Sequence, residues 1–221
     1  MLASGNTSIE RGRVPRGIYV ITPDWADTQR LETMVSAAIR GGAGAIQYRN
    51  KSAPATLQRE QAAALARIAH AAGLPFFVDN DAALAIAVGA DGLHIGRTDG
   101  DPGEVRAKLP RSMIFGVSCY ADLASVEMAV HAGAGYVALG VMFPSPTKPG
   151  AALAPAGIIG EARRRGAHVV ASGGISERNV AAVAAAGAHA VGVVSAVFDA
   201  IEPERATAAL VARFASGAGQ T

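Results

Sequence analysis

Gln47, Arg49 and Lys51 alternate with Tyr48 and Asn50 along one short stretch. In an extended strand alternate residues share a face, so the three long polar side chains point the same way. Together they make a cradle for a polar or anionic ligand, although a basic pair alone also suits a solvated strand end. Lys148 lies in Pro144-Ser145-Pro146-Thr147-Lys148-Pro149, where three prolines limit loop entropy and help hold a charge over a ligand. Ser172-Gly173-Gly174 and Val194-Ser195 are of another kind. Glycine lets the backbone approach an anion closely, so these loops suit phosphate bound by N–H groups; a tight turn is the alternative, and loops at barrel strand ends favour the phosphate.

Asp79, Asp81 and Asp99 supply carboxylates. Two carboxylates facing phosphate-binding groups suit magnesium, which prefers oxygen ligands and bridges to substrate phosphates. Taken singly, Asp81 and Asp99 read more readily as helix N-caps than as functional groups. Two motif matches fail on context. Ser145-x-x-Lys148 lacks the companions of an acylating Ser/Lys pair, and Gly133-x-Gly135-x-x-Ala138 precedes a strand instead of following one. The five histidines show no metal-ligand spacing, and His94 reads as an interior strand residue.

A repeat shows which elements carry these groups. Gly-Ala-x-x-apolar begins at Gly42, Gly89, Gly133 and Gly187, at intervals of 47, 44 and 54 residues. Each copy closes an Ala-rich helical stretch with a glycine cap and opens a short apolar run. One interval holds two strand–helix units, so the chain holds eight. The expected fold is an α/β class, single-domain (β/α)8 TIM barrel over residues 16–221, preceded by a flexible polar leader over residues 1 to about 15. Strands are expected at 17–22, 45–49, 75–78, 92–95, 114–118, 136–139, 168–171 and 190–194. Most are continuous apolar runs, as parallel strands buried on both faces require. Helices are expected at 31–40, 56–72, 82–88, 105–109, 123–131, 156–165, 179–186 and 203–214. The polar residues gather where seven of the eight strands end, which is where barrel active sites lie.

Composition narrows the function. The chain has 221 residues, half of them hydrophobic, 26 glycines and a net charge of +2. That charge is too small to argue for nucleic acid or an anionic membrane, and no basic stripe interleaves with aromatics. Cys119 is the only cysteine, which excludes an intramolecular disulfide and a cysteine metal cage. No apolar run approaches a membrane span, and the start MLASGNTSIERGR lacks a signal-peptide core. A cytoplasmic protein acting on small molecules is expected; homo-oligomer formation is left open.

From about residue 17 to 200 the chain resembles the thiamine phosphate synthase family. The resemblance rests on Q-x-R-x-K at 47–51, A-D-G-L-H-I-G at 90–96, G-V-S at 116–118, P-S-P-T-K-P at 144–149, S-G-G-I at 172–175 and V-V-S at 193–195. It implies condensation of a hydroxymethylpyrimidine diphosphate with a thiazole phosphate, releasing pyrophosphate with magnesium as cofactor. By position, Gln47, Tyr48, Arg49, Asn50, Lys51, Asp79, Ser118 and Lys148 would hold the pyrimidine diphosphate. Ser145, Pro146, Thr147, Gly174, Val194 and Ser195 would hold the thiazole phosphate. Arg49, Lys51 and Lys148 would be the catalytic cations.

Departures from the family pattern fall near the metal. The family usually has Asn then Asp after the third strand, but this chain has Asp79 then Asn80. Position therefore assigns Asn80 to the metal with Asp99, while chemistry prefers Asp79. Arg97-Thr98 replaces the commoner Gln-Glu before Asp99. Two other readings share the motifs: a thiazole tautomerase, which would need a histidine where Tyr120 stands, and a barrel that binds thiamine precursors without catalysis.

Overall fold

The computed structural model describes residues 14–144, 150, 152–155 and 157–219. Eight parallel strands close into a barrel in sequence order. They are β1 (Gly17–Ile21), β2 (Ala45–Tyr48), β3 (Phe76–Asp79), β4 (Gly92–Ile95), β5 (Ile114–Tyr120), β6 (Tyr136–Leu139), β7 (Val169–Ser172) and β8 (Ala190–Val193). The helices are α1 (Thr28–Arg40), α2 (Ala55–Ala71), α3 (Ala82–Ala87), α4 (Pro102–Lys108), α5 (Leu123–His131), α6 (Ile158–Arg164), α7 (Val180–Ala185), the short α8 (Ser195–Phe198) and α9 (Pro203–Ala218). The expected architecture is the observed one. None of the helices in the described residues is long and apolar enough to cross a membrane.

The repeat has a backbone cause. Gly42, Gly89, Gly133 and Gly187 all have positive φ, and the N–H of the alanine after each bonds back five residues, to Ala38, Ala85, Ala129 and Val183. This Schellman cap ends the helix and aims the chain into the next strand. Gly73 and Gly166 close α2 and α6 the same way without the alanine-rich signature after Gly73. Of the helices that lead directly into a strand, α4 is the exception, ending at extended Leu109 before Pro110.

Strands β2, β4 and β8 are buried throughout, as their apolar runs predict. The larger core lies between barrel and helices. A second one fills the barrel, where Tyr19, Phe77 and Tyr136 pack edge to face. Glycines make room for these rings. A Cβ at Gly92 would sit 2.5 Å from the Phe77 ring, and one at Gly116 would sit 2.1 Å from the Tyr136 ring. Of the expected leader, residues 1–13 lie outside the described residues. Pro15 is buried, and its carbonyl accepts from His168 Nε2 at 2.7 Å, which ties the chain to the barrel ahead of β1.

Candidate functional site

A cavity of about 640 Å³ opens at the C-terminal mouth of the barrel. Gln47, Arg49 and Lys51 all line it, so the strand alternation places them as expected. Thr22 sets Arg49: its Oγ1 donates to the Arg49 carbonyl at 2.9 Å and accepts from the Arg49 N–H at 2.8 Å. Asp24 then takes Arg49 Nη1 at 2.8 Å and the Lys51 N–H at 3.1 Å on one oxygen. Asp24 escaped the sequence reading, although Thr22-Pro23-Asp24 is a polar strand end like the other seven.

Tyr48 and Asn50 are corrections. Both turn away from the cavity into the helix layer, as the same alternation requires. The Tyr48 hydroxyl donates to Gln61 Oε1 at 2.9 Å, and Asn50 Nδ2 donates to Gln61 Oε1 and to the Trp25 carbonyl. Gln61 Nε2 also donates to the Trp25 carbonyl, which ties α2 to the loop after β1. Tyr48 and Asn50 thus brace the strand end that displays Arg49 and Lys51.

Asp79 ends β3 with its side chain only 11% exposed, 3.8 Å from both Arg49 Nε and Lys51 Nζ. Burial raises its pKa; Lys51 and Arg49 pull it down without winning, while Asp99 and Asp24 push it up. A buried carboxylate that two cations do not fully compensate has capacity for a further cation. The Asp99 carboxylate, on the adjacent loop, accepts from the Gly96 N–H at 2.7 Å. It is not the N-cap of α4, a role taken by Asp101. Asn80 is exposed, has φ 57° and does not line the cavity. Of the three residues assigned to the metal, only Asp79 lines the cavity; Asp99 is bonded to the lining Gly96, while Asn80 is exposed, which conflicts with its positional assignment. Asp81 is the N-cap of α3.

Ser118 lines the cavity from β5, its Oγ 2.8 Å from His94 Nε2. His94 Nδ1 is 3.0 Å from the Tyr136 hydroxyl, which is 3.0 Å from the Tyr19 hydroxyl. Burial lowers the His94 pKa to about 4, so the ring is neutral at pH 7. His94 is the interior residue expected, and it also touches the site. Gln47 Nε2 is buried without a hydrogen-bond partner among the described residues. Gln47 lies close enough to Tyr19 to oppose the rise that burial and Tyr136 impose on the phenol pKa, though short of a formed bond. An amide carries two N–H groups, so at least one remains for a ligand.

Gly174, Val194 and Ser195 line the opposite wall. Among the described residues, nothing accepts from the N–H of Gly174 or Ser195. Gly174 has a second reason to be glycine: a Cβ there would lie 2.4 Å from the Phe143 carbonyl oxygen, at φ 66°. Ser145, Pro146, Thr147 and Lys148 lie outside the described residues. Tyr120, at φ 55°, lines the cavity where a tautomerase would have histidine, with Arg97 over its ring at 4.6 Å. Cys119 is buried, its thiol pushed up to about 12, which makes it inert.

Comparison with known proteins agrees with this geometry. The family model for thiamine monophosphate synthase matches residues 18–197. The chain is 46% identical over 209 residues to the thiamine-phosphate synthase of Bordetella pertussis, covering 91% of this chain and 96% of that one. It is 44% identical over 198 residues to the thiamine-phosphate synthase of Chromobacterium violaceum, covering 90% and 96%. A solved thiamine phosphate pyrophosphorylase from Pyrococcus furiosus superposes with a TM-score of 0.81 at 30% identity, covering 91% of this chain and 96% of that one. With a (β/α)8 barrel whose mouth gathers Arg49, Lys51, Asp79 and Ser118, the chain belongs to the thiamine monophosphate synthase family of transferases.

Proposed function

We propose that this transferase joins 4-amino-2-methyl-5-hydroxymethylpyrimidine diphosphate to thiazole phosphate, giving thiamine phosphate and pyrophosphate, in the cytoplasm. The observation that carries the reading is the cluster of Arg49, Lys51 and Asp79 in one cavity, facing a wall with unspent N–H groups. Arg49 and Lys51 hold the diphosphate, together with Lys148, and stabilise the charge that builds as pyrophosphate leaves. Ser118 donates to the same anion. Ser145, Pro146, Thr147, Gly174, Val194 and Ser195 hold the thiazole phosphate. Departure precedes bond formation: the pyrimidine-methyl carbon becomes a ring-stabilised cation, and the thiazole nitrogen attacks it. No protein nucleophile is required, in keeping with a neutral His94 and an inert Cys119.

The residues present fit magnesium. Asp79 and Asp99 sit close enough for each charge to oppose the other, and Asp79 remains under-compensated beside two cations. Asp79 and Asp99 would hold the ion, and substrate oxygens would complete the shell. When bound, it supplies further positive charge against the leaving group.

The test supplies both substrates and measures thiamine phosphate and pyrophosphate while magnesium is titrated. Equal amounts of the two products, with dependence on magnesium, are expected. A folded protein that forms neither product, or that isomerises a thiazole phosphate without magnesium, would overturn the reading.

A further inference from the structure

The cavity floor carries a chain of four hydroxyl and imidazole groups whose direction can be worked out. Tyr19, Tyr136, His94 and Ser118 are linked in series at 3.0, 3.0 and 2.8 Å. Tyr136 cannot swing out of line. Its ring stacks on His94, meets Tyr19 and Phe77 edge to face, and lies against bare Gly116.

A neutral imidazole has one donor nitrogen and one acceptor nitrogen, so the chain runs one way or the other. Tyr19 decides which. Its hydroxyl is buried; Tyr136 is its one bonded partner among the described residues, and the nearby Gln47 amide acts on it as a donor, opposing the rise that burial imposes on the phenol, so it offers no acceptor. A chain running from Ser118 toward Tyr19 would leave the Tyr19 O–H buried with nothing to donate to, which is costly. The chain running from Tyr19 satisfies every donor: Tyr19 O–H to Tyr136, Tyr136 O–H to His94 Nδ1, and His94 Nε2–H to Ser118 Oγ. The Ser118 hydroxyl proton is then free to point into the cavity.

We propose that Tyr136 and His94 are positioning residues that hold Ser118 as a hydrogen-bond donor toward an anionic oxygen in the cavity. The inference rests on the reading of this cavity as a diphosphate site. In the reverse direction Ser118 would spend its proton on His94 and turn lone pairs toward the anion. With the unpartnered Nε2 of Gln47 on the same floor, the Ser118 proton adds a donor that suits an oxygen-rich ligand.

Two measurements test this, with inorganic pyrophosphate as the probe. Nitrogen-15 NMR of the whole chain at neutral pH should show His94 protonated at Nε2 and bare at Nδ1; the opposite tautomer overturns the proposal. Calorimetric pyrophosphate binding should weaken about tenfold in Ser118→Ala and about fivefold in His94→Leu. In the double variant it should weaken no further than in Ser118→Ala alone. An equal His94→Leu loss in both backgrounds, or none in either, would mean His94 acts through packing and would sink the idea. If His94→Leu does not fold, the tautomer alone decides. Pyrophosphate binding is read without turnover, so failure here is distinct from failure to form thiamine phosphate.

Discussion

The two ends of the barrel both hold titratable groups whose pKa values burial shifts, yet they differ in what those groups leave undone. At the foot, His168 and His189 stack with ring centres 4.2 Å apart. His168 Nε2 donates to the Pro15 carbonyl, and His189 Nδ1 accepts from the Val169 N–H at 3.0 Å. Burial lowers both pKa values, that of His189 to about 4 with help from the neighbouring His168, Arg163 and Arg16. At the mouth, burial moves Asp79 the opposite way, Gln47 keeps an unpartnered amide nitrogen, and both line one cavity. Perturbed protonation alone therefore marks burial at either end. Unspent hydrogen-bonding capacity beside open space marks only the mouth.

The largest effect expected from breaking this contrast is at Lys51. Lys51→Ala should slow pyrophosphate release about a hundredfold, or about 3 kcal/mol of barrier, by removing one charge contact to the leaving group. The melting temperature should barely move, because the Lys51 side chain is 46% exposed. A comparable loss of stability would make Lys51 a structural ion-pair partner of Asp79 instead.

Asp79→Asn should separate function from stability. The folded state raises the Asp79 pKa, so its ionised form weakens the fold once pH exceeds the unfolded value, and that cost persists at pH 7. Removing the charge should raise the melting temperature at pH 7 while raising the magnesium needed for half-maximal activity about tenfold. Asn80→Asp should leave that magnesium requirement unchanged. If Asn80→Asp tightens it and Asp79→Asn does not, position in the family pattern outweighs the cavity geometry.

The sequence made the barrel legible because the helix caps repeat: the same positive-φ glycine recurs at 42, 89, 133 and 187. It made half of the basic stretch legible as well. Strand alternation points Gln47, Arg49 and Lys51 to the cavity, and by the same rule it points Tyr48 and Asn50 away, a consequence hidden by carrying over the motif as a block. Asp24 was hidden because its role depends on parallel pairing of β1 with β2, which no local pattern encodes. The hydroxyl chain was hidden for the same reason: Tyr19 and Tyr136 are 117 residues apart and meet only inside a closed barrel. Asp79 against Asn80 turned on backbone geometry, the left-handed φ of Asn80.

Glycine offers a finer comparison across the barrel. Gly174 and Gly166 both have positive φ, but only at Gly174 would a Cβ strike backbone, the Phe143 and Pro144 carbonyls. Gly174→Ala should destabilise by about 2 kcal/mol, through strain plus displacement of the loop after β6, and Gly166→Ala by about 1 kcal/mol, through strain alone. Chemical denaturation measures both. Equal losses would mean the loop after β6 yields freely, and binding of thiazole phosphate to Gly174→Ala could then be read as a direct contact.

The smallest effect belongs to the foot. His189 has an ordinary pKa near 6.5 when unfolded and about 4 when folded, so the unfolded chain binds its proton first as pH falls. Above 6.5 neither state is protonated and His189 does not affect the balance; between 6.5 and 4 the fold loses stability. His189→Asn removes the titration, and its side-chain oxygen can still accept from the Val169 N–H. Because His189 is only partly buried, solvent screening reduces the full linkage, and the stability lost between pH 7 and pH 5 should shrink by about 1 kcal/mol. Denaturant titrations at the two pH values measure it, and turnover at pH 7 should be that of the parent. If the acid loss is the same with and without His189, the strain lies elsewhere, and the shift at the foot is a consequence of burial with no weight in the acid stability of the barrel.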